Sequence, residues 1–91
     1  MKELMNKINQ FRDDRDWRKF HNEKDLAISI SLEASELLEL FQWKKSEEVV
    51  ASSLKEIKEE LADVLIYSLM MADNLNLDVE DIIKSKLDLN E

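Results

Sequence analysis

The chain of 91 residues contains no glycine, no proline and no cysteine. Average usage would supply roughly six glycines and four or five prolines in this length. Sheets, hairpins and tight turns lean on those two residues, so their joint absence points to an all-α protein whose connections are made by Asn, Asp and Ser. Without cysteine there is no disulfide, no thiolate metal site and no thiol nucleophile. Histidine is reduced to His21 alone, which excludes a di-iron carboxylate bundle, because that site needs a Glu-x-x-His motif from each of two helices. No Ser or Lys stands beside an obvious histidine base, so covalent catalysis is poorly supported. Positive charge is also short, with 13 Lys and Arg against 21 Asp and Glu and a net charge of −8. A nucleic-acid polymer demands a basic surface and is not an expected partner. The longest apolar run is too short to span a membrane, and the N-terminal MKELMNKINQF is amphipathic with no apolar core of a signal peptide. A cytoplasmic location, away from any membrane, is therefore expected.

What is present is helical periodicity. A hydrophobic fraction of 44% is enough for a folded chain, and the length suits one small domain, residues 1–91, whose single core is marginal by itself. Leu4, Met5, Ile8 and Phe11 make an i, i+3, i+4, i+7 face, predicting a first helix from about Lys2 to Asp14. The stretch RDDRDWRKFHNEKD has no clear period and reads as a loop. Asn22 is a candidate cap for a second helix from Glu23 to about Trp43 or Lys44. Ser46 is a candidate cap for a short turn, EEVVAS. Ser53 with Glu56 fits a capping box that opens a long third helix to about Asn74, with a core stripe of Leu54, Ile57, Leu61, Val64, Leu65, Ser68, Met71 and Leu75. Asp78 and Asp81 mark the start of a fourth. The expectation is a four-helix bundle with short connections. The second and third helices carry apolar residues on more than one face, which a chain this short cannot hide alone. A homodimer or larger assembly follows.

Two acidic pairs interrupt the apolar faces: Glu33 with Glu36, and Glu60 with Asp63. Each is spaced i, i+3, so its carboxylates project from one side of a helix, one turn apart. Acidic pairs at that spacing also occur at Asp13/Asp16, Glu56/Glu59 and Asp78/Asp81, so spacing alone fits a solvated face equally well. Position separates the chosen pairs. Glu33 falls on the stripe of Leu26, Ile30, Leu37 and Leu40, and Asp63 sits among Leu61, Ala62, Val64, Leu65 and Ile66. Burying like charges together is costly, and a hard divalent cation with oxygen ligands removes that cost. From patterning, a four-carboxylate metal site between two helices and a solvated face both remain open.

With these pairs in place the chain resembles the MazG-like nucleotide pyrophosphohydrolases, an all-α superfamily of house-cleaning enzymes. Their signature, ExxE, a spacer, then ExxD, reads here Glu33-Ala34-Ser35-Glu36 and Glu60-Leu61-Ala62-Asp63. The ordered stretches FRDDRDWRKFH, SLEASELLELFQW, EELADVLIY and KLDLN are similar to the dCTP pyrophosphatase-like branch. The resemblance implies hydrolysis of a nucleoside triphosphate between its α and β phosphates, giving the monophosphate and pyrophosphate. It implies that Glu33, Glu36, Glu60 and Asp63 bind Mg²⁺, with Mn²⁺ as a substitute. Glu33 and Glu36 are the expected catalytic residues. A carboxylate not saturated by metal can accept the proton of the attacking water, and Glu36 is the choice for that role, although a shared cluster does not assign roles from sequence. By the same likeness Trp17, His21 and Trp43 line the base pocket, Tyr67 contacts the sugar, and Lys86 and Asn90 hold phosphates. Cytosine is the first expectation for the base, and a dimer of dimers is common among relatives. Read without the family, Trp17 and Trp43 would be core or interface anchors, and His21 a surface or capping residue. The competing reading of the whole chain is a non-catalytic helical dimerisation or adaptor module. It explains the missing glycine and the apolar stripes, but not why acidic pairs interrupt them.

Overall fold

Leu26 and Met70, both with no exposed surface, are where the fold is pinned together. The structure is a computed structural model, which describes residues 1–90. It is built from α1 (Lys2–Asp14), a 3₁₀ turn (Trp17–Lys19), α2 (Glu23–Glu39), α3 (Ser46–Ser52), α4 (Leu54–Asn74) and α5 (Val79–Leu89). The all-α expectation holds among the described residues, with α3 a full short helix where the sequence suggested a turn.

Among the described residues the most extensive packing is between α2 and α4. Leu26, near the start of α2, packs with Met70 near the end of α4, whereas Glu33 further along α2 faces Glu60 and Asp63 near the start of α4. The two helices are therefore antiparallel. Ile8 of α1 closes this core, and Ile66, Tyr67, Leu69 and Met71 pack around it. Full burial of one such aliphatic side chain contributes about 1.5–3 kcal/mol. Val49 of α3 is buried separately. By contrast α5 has no buried residue, and its Val79, Ile82 and Ile83 face α1 and α4 across an open apolar groove.

Local signals were met unevenly. Asn22 caps α2 by accepting from the Asp25 N–H at 2.8 Å, and Asp78 caps α5 by accepting from the Asp81 N–H at 3.0 Å. Three expectations are corrected. The second helix stops at Glu39, not Trp43 or Lys44, because the chain turns through residues 40–44 and Trp43 takes a left-handed φ of 64°. Ser53 makes no side-chain cap bond, so the Ser53/Glu56 capping box does not form; Ser52 and Ser53 instead place their hydroxyls 3.3 Å apart. Ser46 is the first residue of α3 and the flanking Lys45 makes no side-chain cap bond. The expected core stripe is also displaced. Leu54, Leu61, Leu65 and Leu75 are exposed, and Met70 and Ala72 are buried instead. With no glycine available, Asp16, Trp43 and Asn76 take the left-handed conformations the turns require.

Candidate active site

The antiparallel pairing brings Glu33 and Glu36 of α2 against Glu60 of α4, each offering one carboxylate oxygen within 4.8 Å of the others. Three carboxylates this close repel unless protons or a cation intervene. Two of their oxygens, Glu33 Oε2 and Glu60 Oε2, are buried with no hydrogen-bond partner in the chain. Burial, then the neighbouring Glu36, Asp63 and Glu60, push the Glu33 carboxyl up to about 7. Burial, then Glu36 and Asp63, raise Glu60 as well. Orphaned, proton-hungry oxygens converging from two helices are a donor set that fits a hard divalent cation. Asp63 is not among the three convergent groups, though its charge acts on Glu33 and Glu60.

An aromatic ladder leads away from this cluster. The ring of Tyr67 lies 6.1 Å from that of His21, His21 lies 5.1 Å from Trp17, and Trp17 meets Phe11 edge-on at 5.1 Å. Edge-to-face and tilted geometries at these separations are favourable for aromatic quadrupoles. Tyr67 joins the ladder to the carboxylates. Burial, followed by the charges of Glu33, Asp63 and Glu36, raises its phenol above the ordinary range. It is thus neutral and able to donate a hydrogen bond near the cluster. His21 Nδ1 is buried and unpartnered, a further polar atom facing the interior of this region.

Of the site residues expected from sequence, Glu33, Glu36, Glu60, Asp63, Tyr67, His21 and Trp17 thus occupy one continuous region. Trp43, Lys86 and Asn90 do not join it within the chain. Trp43 is 99% exposed on the α2–α3 turn. Lys86 and Asn90 are exposed at the end of α5, and no side-chain hydrogen bond or ion pair among the described residues ties them to the carboxylates. Ser35 and Ser68, near the carboxylates, donate their hydroxyls to the carbonyls one turn back, at 3.0 and 2.7 Å.

One group was missed in the sequence. Arg12 has no exposed surface; its Nη2 donates to Asn74 Oδ1 at 2.8 Å and its Nη1 to Asn9 Oδ1 at 3.4 Å, with Asp73 at 3.8 Å. Burial lowers its pKa. The available signal was its place four residues after Ile8, on the apolar side of α1, obscured by the surrounding run of charges.

A model of the MazG-like family matches residues 28–91. The dCTP pyrophosphatase 1 of Homo sapiens is 38% identical over 86 residues, and that of Rattus norvegicus 40%. Each match covers 89% of this chain but 51% of the relative, so the chain spans about half the length of those proteins. A crystal structure of a pyrophosphatase from Archaeoglobus fulgidus is 44% identical, covers 100% of this chain and 88% of its own, and superposes with a TM-score of 0.96.

Proposed function

The chain belongs to the MazG-like family, and we propose that it is a Mg²⁺-dependent nucleoside triphosphate pyrophosphohydrolase that cleaves the bond between the α and β phosphates. The observation that carries this reading is the junction at Tyr67, which joins a carboxylate cluster with unpartnered oxygens to an aromatic wall. That is the pairing a triphosphate with a base needs. Its preferred substrate is dCTP or a related non-standard deoxynucleotide, in keeping with the named activity of the mammalian relatives.

Glu33, Glu36 and Glu60, with Asp63 beside them, would hold the cation, for which Mn²⁺ is a substitute. When bound, such an ion neutralises phosphate charge and lowers the pKa of bound water. Glu36 is the exposed member of the three, and its exposure supports the role of accepting the proton of the attacking water. Glu33 binds the cation and orients Glu36. Trp17 and His21 receive the base, and the Tyr67 ring lies against the sugar, where it disfavours a 2′-hydroxyl. Lys86 and Asn90 hold phosphates, and Trp43 completes the base pocket, once a second copy brings these exposed groups to a site.

Self-association has its own support. The chain exposes 7151 Å², whereas a compact monomer of its mass exposes about 5,500 Å². The surplus, about 1,600 Å² per chain and so about 3,200 Å² for a pair, falls in the range that obligate homodimer interfaces bury. A homodimer or dimer of dimers in the cytoplasm suits a role in sanitising nucleotide pools. Among the described residues no helix is long and apolar enough to cross a membrane.

The test is product analysis with a panel of ribo- and deoxynucleoside triphosphates and Mg²⁺. Monophosphate plus pyrophosphate, strongest with dCTP and lost in Glu36→Gln, is the expected result. No turnover across the panel, together with no Mg²⁺-dependent rise in melting temperature, would leave a non-catalytic helical adaptor module.

A further inference from the structure

Resting on the nucleotide-binding reading above, we infer that Arg12 and Asn74 are positioning residues that fix the aromatic wall of the site through the backbone of His21. Arg12 is the buried charged side chain of the described core, and its Nε has no partner. A buried guanidinium with an incomplete set of hydrogen bonds is a poor way to stabilise a small helical domain, since an apolar residue of similar volume often does better. Its contacts suggest a different use.

Arg12 Nη2 donates to Asn74 Oδ1 at 2.8 Å, and Asn74 Nδ2 donates to the His21 carbonyl at 3.0 Å. Chemistry fixes the amide orientation. A guanidinium only donates and a carbonyl only accepts, so Asn74 must turn its oxygen to Arg12 and its nitrogen to His21. The relay therefore spans three elements, from α1 through the end of α4 to the connection that carries Trp17 and His21. Among the described residues that connection has one other polar link to α4, Arg18 to Asp73 at 3.7 Å, and Arg18 is exposed, so solvent screens it. The His21 ring stands between Trp17 and Tyr67. Holding its carbonyl holds the middle rung of the ladder. Among the described residues no hydrogen bond or ion pair joins this relay to the carboxylates, so its loss should loosen base binding and leave the cation site intact.

Asn74→Asp separates positioning from stability. The carboxylate still accepts from Arg12, and gains charge, but has no N–H for the His21 carbonyl. We expect KM for the preferred triphosphate to rise about fivefold, the worth of one net hydrogen bond. We expect kcat within twofold of wild type and an unchanged Mg²⁺-induced shift in melting temperature. In a Trp43→Phe background, where Trp17 is the remaining tryptophan, acrylamide should quench Trp17 fluorescence more strongly once Asn74 is Asp. Arg12→Met provides the second variant and should move KM and quenching in the same direction. Unchanged KM and unchanged quenching in Asn74→Asp would overturn the relay, as would a fall in melting temperature with no change in either. If the parent protein turns over no nucleotide, the functional reading fails by itself. Quenching then decides the relay, which an increase supports and no change overturns.

Discussion

The α2–α4 pair and α5 are both built from amphipathic sequence, yet they spend their apolar faces differently. Along the α2–α4 seam, Leu26 and Met70 are fully buried while Glu33, Glu36 and Glu60 converge beside them. On α5, Ile82, Ile83 and Leu87 are 44%, 53% and 60% exposed, and an ion pair, Lys84 with Glu80, lies at the surface. A helix face that packs within its own chain and one left open at the surface look alike as patterns. Charge tells them apart: acidic residues set into a packed seam are held there at a cost, whereas those on α5 are merely solvated.

The largest expected effects separate these two kinds of acidic residue. Glu36→Gln should reduce pyrophosphate release by about 10²–10⁴-fold, the usual worth of a positioned proton acceptor. Glu80→Gln, which breaks the exposed pair with Lys84 at 2.9 Å, should leave turnover unchanged and alter stability by less than about 0.5 kcal/mol. Glu60→Leu sharpens the contrast, because it removes a like charge from the cluster. Without Mg²⁺ its melting temperature should exceed wild type, and added Mg²⁺ should no longer raise it. A Glu60→Leu protein less stable than wild type under those conditions would show that the carboxylates stabilise the seam and would undo the argument from cost.

Next in size are the apolar faces themselves. Leu26→Ala should destabilise the fold by about 3 kcal/mol, as large-to-small changes at filled positions do. Leu87→Ala, at a position 60% exposed in the single chain, should cost little in a dissociated protein. In an assembled one its effect should depend on protein concentration, since burial is then shared between copies. Denaturant titrations at two protein concentrations would distinguish these outcomes.

Proton uptake gives a smaller and more selective effect. The Glu33 carboxyl is raised from 4.5 to about 7, so the folded protein binds a proton in that interval that the unfolded chain does not. Stability from this group is fully present below pH 4.5 and is lost as pH rises through about 7. A cation binds the deprotonated cluster and competes with that proton. The Mg²⁺-induced rise in melting temperature should therefore be greater at about pH 8 than at about pH 5. Equal rises at both would mean that Glu33 takes no part in holding the ion.

Much of this was legible in the residues, for reasons that differ by element. The bounds of α1 follow from Leu4, Met5, Ile8 and Phe11, and the starts of α2 and α5 from Asn22 and Asp78, whose side chains bond the backbone locally. The carboxylate cluster was visible as acidic residues where hydrophobes were due. The end of α2 was not legible, because LELFQW continues an apolar pattern and no glycine announces the turn. The α4 stripe was misassigned because periodicity finds an apolar face without saying which chain covers it; Leu61 and Leu65 line such a face and are 46% and 54% exposed. Arg12 was lost for the opposite reason. Its burial depends on Asn74, 62 residues away, and no local pattern records that contact.

The smallest effects concern the turns that do without glycine. Asp16, Trp43 and Asn76 have φ of 58°, 64° and 54°. Asp and Asn tolerate that region comparatively well, whereas a bulky side chain crowds its own backbone there by about 1–2 kcal/mol. Glycine at Asn76 should thus change stability by only a few tenths of a kcal/mol, since relief of strain is offset by the greater freedom of the unfolded chain. Trp43→Gly should gain up to about 1 kcal/mol, a rise of about 4–8 °C in melting temperature for a domain of this size. Trp43 is 99% exposed, so the single chain has no packing to lose. If the substitution instead destabilises the protein, and does so more at high protein concentration than at low, the ring is buried by a second copy. Trp43 would then group with the open apolar face of α5 rather than with the seam. If it stabilises the protein while weakening nucleotide binding, the strained turn is retained for the ligand, and Trp43 stands functionally with the seam despite its place in the chain.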